Sequence, residues 1–280
     1  MNYSKVACAV TLFAAATFFT PAGAQTAPSP VATPTPTVAI PPALPPIIKY
    51  EQYVSAGYIA PPIVCNEFSA CFPGNRYQSV VFRAAAEFPV ARAFTAMVKV
   101  DFRRYGYPHY GVAGPPLACA AGSTDLSCVP AIGGNGAANS VGAFTARNWD
   151  YDVRAGFRVI EPRIYLSATY LQRTNNYGYP RLSGYGVSLE KLPDVDQILS
   201  LYGGAQYYPI VRGNFTDAAG TTFNLAYHVL RYDVGLTLKP STYSPLFIDA
   251  GYLGDNSHNA GNAPSNITRS GPYVGIGLTL

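Results

Sequence analysis

From Tyr50 onward the chain is built of runs of about 9–14 residues in which apolar and polar side chains alternate, with turn residues between the runs. Phe94 to Arg103 is the clearest. Phe94, Ala96, Val98, Val100 and Phe102 share one face, and Thr95, Met97, Lys99, Asp101 and Arg103 share the other. In Trp149 to Val159, Trp149, Tyr151, Val153, Ala155, Phe157 and Val159 oppose Asp150, Asp152, Arg154, Gly156 and Arg158. Gln78 to Phe88 sets Val80, Phe82, Ala84, Ala86 and Phe88 against Ser79, Val81, Arg83, Ala85 and Glu87; Leu230 to Leu238 repeats the pattern around Arg231 and Asp233. A period of two is the period of a β-strand, with one apolar and one polar side.

The pattern predicts strands over 50–59, 77–88, 94–105, 147–160, 164–174, 182–192, 197–208, 223–238, 245–253 and 267–280. Connections at 89–93, 161–163, 193–196 and 239–244 are short. Those at 60–76, 106–146, 175–181, 209–222 and 254–266 are longer. Strands of a soluble sandwich usually run to about five or six residues; several of these exceed ten, enough to cross a bilayer at a tilt. The polar faces carry Arg83, Lys99, Arg103, Arg154, Arg158, Arg173, Arg231 and Arg269 against Glu87, Asp101, Asp150, Asp152, Glu190, Asp233 and Asp249, a near-balanced set suited to pairing inside a narrow lumen. Strands satisfy every backbone group in lipid only when they close. The expected fold is therefore all-β: an antiparallel up-and-down transmembrane barrel of about ten strands over 50–280, with the apolar faces outward. Tyr58, Trp149, Tyr151, Tyr170, Tyr185, Tyr207 and Tyr252 fall near the long-loop ends of strands, as an interfacial girdle would.

The segment before the barrel divides in two. Residues 1–24 read as a secretory signal: Lys5, then an uncharged run from Val6 to Phe19, then Ala22-Gly23-Ala24 as the cleavage site. Residues 25–49 are Pro-rich and read as an extended periplasmic tether, a spacer that could also contact a periplasmic or cell-wall partner. Beyond the signal lie Cys65, Cys71, Cys119 and Cys128. An even count in an exported chain points to two disulfides, and each of Cys65–Cys71 and Cys119–Cys128 falls inside one long loop. Neither spacing matches a common zinc motif. A net charge of +4 is too slight to argue for nucleic acid, and Gly133-Gly134-Asn135-Gly136 lacks the Lys-Ser/Thr of a phosphate loop.

The last strand ends Tyr273-Val274-Gly275-Ile276-Gly277-Leu278-Thr279-Leu280. This resembles the terminal strand signal of bacterial outer-membrane β-barrels: Gly275 is followed by apolar Leu278 and Leu280 at the third and fifth positions. The usual final residue is aromatic, and here it is Leu280. The resemblance implies a bacterial outer-membrane location with both termini periplasmic, contact with outer-membrane lipid, insertion by the outer-membrane assembly machinery, and no cofactor.

Ten-stranded barrels include the omptin surface proteases, which use acidic residues and a His at the outer rim. Asp150, Asp152 and His228 are the candidates for such a set, but no acid lies two residues from His228 as that pattern needs. Ser167, Ser188 and Ser200 lie on strands with no His at their level, against a lipid-modifying enzyme. The expectation is a non-enzymatic surface or structural protein displaying its loops, with a narrow porin-like channel as the alternative. The residues set to matter form a lumen charge network: Arg83, Glu87, Lys99, Asp101, Arg103, Asp150, Asp152, Arg154, Arg158, Arg231, Asp233 and Asp249.

Overall fold

The computed structural model describes residues 51–60, 63–65, 71–73, 79–91, 94–109, 144–176, 179–216, 222–263 and 265–280. The signal and tether segments, Cys119 and Cys128 lie outside the described residues. Twelve strands follow in chain order: β1 (Gln52–Ile59), β2 (Ile63–Cys65), β3 (Cys71–Pro73), β4 (Val80–Ala91), β5 (Phe94–His109), β6 (Phe144–Ile160), β7 (Ile164–Asn175), β8 (Leu182–Lys191), β9 (Leu199–Thr216), β10 (Thr222–Leu238), β11 (Leu246–Gly261) and β12 (Ile267–Thr279). Among the described residues no helix is long and apolar enough to cross a membrane.

The sheet closes on itself. β1 pairs antiparallel with β4, and β4 through β12 pair in sequence order. β12 then returns to β1 with Tyr53 opposite Thr279 and Ile59 opposite Tyr273. Ten strands thus form an up-and-down ring. Gly57 faces Gly275 at the seam. A Cβ on Gly275 would lie 2.4 Å from the Ala56 carbonyl oxygen, and one on Gly57 2.7 Å from that of Val274. The seam therefore closes where neither strand carries a side chain.

Burial follows the two-residue period around the ring, with the polarity of a soluble protein reversed. Phe82, Val98, Val153, Phe157, Leu166, Val187, Leu189, Leu201, Val234, Ile248, Val274 and Ile276 are exposed, while the charged side chains between them are buried. A belt of large apolar groups on every side far exceeds the patches that soluble proteins leave in water. The closed antiparallel ring, apolar outside and polar inside, is a transmembrane β-barrel of the outer-membrane type.

The structure corrects the expected boundaries at the end away from Glu51 and Leu280. β9 continues to Thr216, where the sequence reading stops at 208, and β11 to Gly261, where it stops at 253. Pro209 accounts for the first difference. The β9–β10 register shifts between Tyr227 and Val229, so Pro209 falls at an irregularity where its missing N–H costs no ladder bond. The expected loop at 60–76 also holds the small β2–β3 hairpin. β2 pairs with β12 outward of where β1 ends, with Cys65 opposite Thr268 and Ile63 opposite Ser270.

Candidate functional site

The candidate site is the barrel interior, which is filled in three layers. The middle layer is ionic. Arg83, Lys99, Arg103, Arg154, Arg173, Arg231 and Arg269 face Asp101, Asp150, Asp152, Glu190, Asp233, Asp249 and Asp255, and none of these side chains belongs to a residue more than 5 % exposed. The formal charges cancel, seven against seven, as burial requires. Asp101 takes both prongs of Arg103, at 3.0 and 3.1 Å, and one from Arg154 at 3.4 Å. Asp152 accepts from Arg154 at 3.2 Å, Arg231 at 2.8 Å, Thr169 at 2.8 Å and Tyr208 at 2.6 Å. Arg83 reaches Asp249 at 3.1 Å and Asp233 at 3.3 Å, and its guanidinium lies 4.4 Å from the centre of the Tyr273 ring. Glu190 is shared by Lys99 at 2.6 Å and Arg154 at 2.9 Å. Towards the outer end Asp150 faces Arg173 and Arg269, each at 3.5 Å, and Arg173 also binds Asp255.

The layer nearest Glu51 and Leu280 is a plug. The β8–β9 turn buries Leu192 against Met97 and Tyr165, and Val195 against Tyr53, Ala85 and Phe247. Glu51, just before β1, accepts the Val195 N–H at 2.8 Å and binds Arg163 of the β6–β7 turn. Arg163 also faces Glu87 at 3.6 Å and Asp194 at 3.7 Å. Lys239 donates to the Val195 carbonyl at 2.6 Å. Burial pushes the Glu51 carboxyl above its ordinary value, against the pull of Arg163. Burial is the largest single influence on Arg163 and works against its charge, but Glu51, Glu87 and Asp194 together outweigh it and hold the guanidinium above its ordinary value. Three turns are thereby stitched across the opening.

The outer layer is apolar: Val64, Ala146, Leu171, Leu182, Tyr208, Val211, Leu225, Val229 and Ile267 form one buried cluster.

Of the residues expected in the charge network, Arg83, Lys99, Asp101, Arg103, Asp150, Asp152, Arg154, Arg231, Asp233 and Asp249 come together in the middle layer, and Glu87 sits in the plug. Arg158 stands apart. It is partly exposed and pairs with Glu161 of the adjacent turn at 3.0 Å. Asp255 is missing from the expected set because its segment reads as a loop. Tyr202 and Tyr273, which bond Asp249 and each other, and Tyr208, which bonds Asp152, were also missed. The inward phase of their strands was the available signal. The omptin-like set does not assemble: Asp150 and Asp152 are buried in ion pairs inside, whereas His228 is exposed on the outer face of β10. Leu278 and Leu280 project outward beside Gly275, and the Leu280 N–H bonds the Gln52 carbonyl at 2.9 Å.

No family model and no curated protein matches the chain. Among solved structures it is similar to Ail, the attachment invasion locus protein of Yersinia pestis, in complex with the heparin analogue sucrose octasulfate. That match has 14% identity over 83% of this chain and 100% of the other, with a TM-score of 0.30. It is also similar to the outer membrane protease OmpT from Escherichia coli, at 8% identity over 82% and 93% with a TM-score of 0.34. A third is the TodX deltaS2S3 mutant monoaromatic hydrocarbon channel, at 10% identity over 81% and 70% with a TM-score of 0.33. Likenesses this low carry no functional argument, so the class rests on the geometry above. Within that class the chain is a ten-stranded barrel whose described interior holds buried side chains in three successive layers.

Proposed function

We propose that the protein is a non-conducting, non-enzymatic barrel of the bacterial outer membrane that presents its long loops at the cell surface. The carrying observation is the interior: a neutral ionic layer with an apolar cluster on its outer side and, on the other, the β8–β9 turn folded across the mouth and tied there by Glu51, Arg163 and Lys239. Ten strands enclose little more space than the eight whose side chains fill a barrel, and here long Arg and Tyr side chains occupy it. An ion crossing would have to separate pairs that are costly to break. The non-enzymatic part is supported by the placement of Asp150, Asp152 and His228 on opposite faces of the wall.

In this reading residues 1–24 direct export, 25–49 hold the barrel to the periplasmic side or the cell wall, both ends of 50–280 are periplasmic, and the assembly machinery reads Gly275, Leu278 and Leu280. Cys65 bridges Cys71, a pairing supported by their opposition across the β2–β3 register. Cys119–Cys128 closes the second loop. Planar-bilayer recording of the refolded full chain tests the proposal. Electrical silence from a sample that migrates as a folded barrel is expected; steady single-channel steps would replace it with the channel reading. A peptide-cleavage assay on the same sample is expected to show no turnover, and turnover lost in Asp150→Asn would revive the enzyme.

A further inference from the structure

The outer wall of the barrel carries a basic groove where the short strand β8 stands beside the taller β9–β10 pair. β8 begins at Leu182, while β9 and β10 continue past it, with Asn214 opposite Asn224. Arg212 pairs with Ser183, and the β8–β9 register then shifts before Val187. A groove of about 460 Å³ opens here, lined by Arg181, Ser183, Arg212, Gly213, Asn214 and Asn224. Their neighbours Leu182, Val211 and Leu225 are buried, so these polar side chains lie on the lipid side of the wall. Gly213 makes the approach possible: a Cβ there would meet the Arg181 carbonyl oxygen at 2.3 Å.

Two cations and no acid line the groove. The Arg181 guanidinium donates to the Gln172 side-chain oxygen. Arg212 has no ion-pair partner among the described residues. Height adds the second constraint. Ile210, two residues before Arg212, is 52 % exposed, and Tyr185, four residues after Arg181, is 77 % exposed. Both belong to the apolar belt, so the arginines sit just beyond its edge, where lipid headgroups lie. Arginine forks match phosphate oxygens bidentately, and the volume suits a polar headgroup. Acyl chains would then run down over Ile210, Tyr185 and Val187.

We infer that Arg181 and Arg212 hold the phosphate of an anionic membrane lipid in the leaflet at the end of the barrel away from Leu280, with Ser183, Asn214 and Asn224 bonding the polar groups attached to it. This concerns the outer wall and holds whether or not the lumen conducts.

The test is native mass spectrometry of the full chain, reconstituted in vesicles of equal parts phosphatidylcholine and phosphatidylglycerol and then extracted in mild detergent. The wild type is expected to retain phosphatidylglycerol over phosphatidylcholine by about thirtyfold, from two interfacial arginines. The ratio should fall to near one in R181Q/R212Q and stay intermediate in R181K/R212K, which keeps charge and loses the forks. A wild-type ratio near one, or one unchanged in R181Q/R212Q, overturns the inference. A tenfold molar excess of inorganic phosphate over lipid should leave the adduct in place; displacement means a free-anion site and overturns the lipid assignment. Should R181Q/R212Q fail to refold, the single Arg181→Gln and Arg212→Gln variants decide, each expected to lower the ratio.

Discussion

The two faces of β6 hold side chains that a soluble protein would exchange. Inward point Asp150, Asp152 and Arg154, all fully buried; outward point Tyr151, Val153 and Phe157, all exposed. The same backbone serves both faces, so the difference lies in what each face meets. Outside, hydrocarbon accepts apolar groups and rejects charge. Inside, charge is tolerated because the ring fixes donors and acceptors within bonding distance: Asp101, Asp150, Asp152, Glu190 and Asp255 each meet two or more cations, and Asp233 and Asp249 share Arg83. What this teaches is that the interior cannot be judged by hydropathy. Its stability depends on complementarity, and the wall's depends on the absence of charge.

The largest effects should come from unbalancing the interior. Asp152→Ala removes the acceptor shared by Arg154, Arg231, Thr169 and Tyr208. Equilibrium unfolding in lipid vesicles should show a loss of about 3–5 kcal/mol, the usual cost of orphaning a buried ion. Adding Arg231→Met should restore part of it. Next comes the opposite face. Val153→Arg should cost about 2–4 kcal/mol, and Val159→Arg, near the end of the strand, about 0–1 kcal/mol. Equal costs at the two sites would break the assignment of a lipid belt.

Smaller effects sharpen the account. Gly57→Ala places a methyl against the Val274 carbonyl oxygen at the seam. It should cost about 1–3 kcal/mol and slow the appearance of the folded band in a refolding time course. The smallest effect is on Glu51, outside the belt. Its folded carboxyl is held above the unfolded value, so the folded state keeps a proton that the unfolded state has released. Its contribution is full below the ordinary glutamate range and declines as pH rises through the folded value. Unfolding midpoints between about pH 4 and pH 7 should therefore slope down more in the wild type than in Glu51→Gln. Parallel slopes would show that burial does not perturb Glu51.

The ring strands were legible because one side of the wall must be apolar and the other polar, and that requirement prints a period of two on the sequence. The same reasoning placed Lys99, Asp101, Asp152 and Arg231 inside. It fell short where the requirement lapses. Beyond the lipid belt the outer face no longer needs apolar groups, so Asn256 to Gly261 reads as loop although β11 continues through it, and Asp255 went with it. Tyrosine was ambiguous for a different reason. Tyr207 and Tyr208 are neighbours, one at the lipid surface and one in the charge network, and residue type alone assigns neither. The plug was hidden because the β8–β9 connection looks like an ordinary short turn; only the closed ring shows that Leu192 and Val195 point into a mouth.

The central claim is that the apolar face meets lipid hydrocarbon, and the chain's single tryptophan offers the most direct test. Trp149 lies on the outer face of β6, four residues (about 13 Å along the strand) from Val153. Fluorescence is measured in vesicles whose lipids carry bromine at defined depths, for the wild type and for Trp149→Phe/Val153→Trp. Quenching of Trp149 should peak with shallow bromines, and that of the tryptophan at 153 with deep ones, while aqueous iodide quenches the latter little. Iodide quenching at 153 with no response to bromine at any depth would place that face in water or in a dry protein centre and contradict the account.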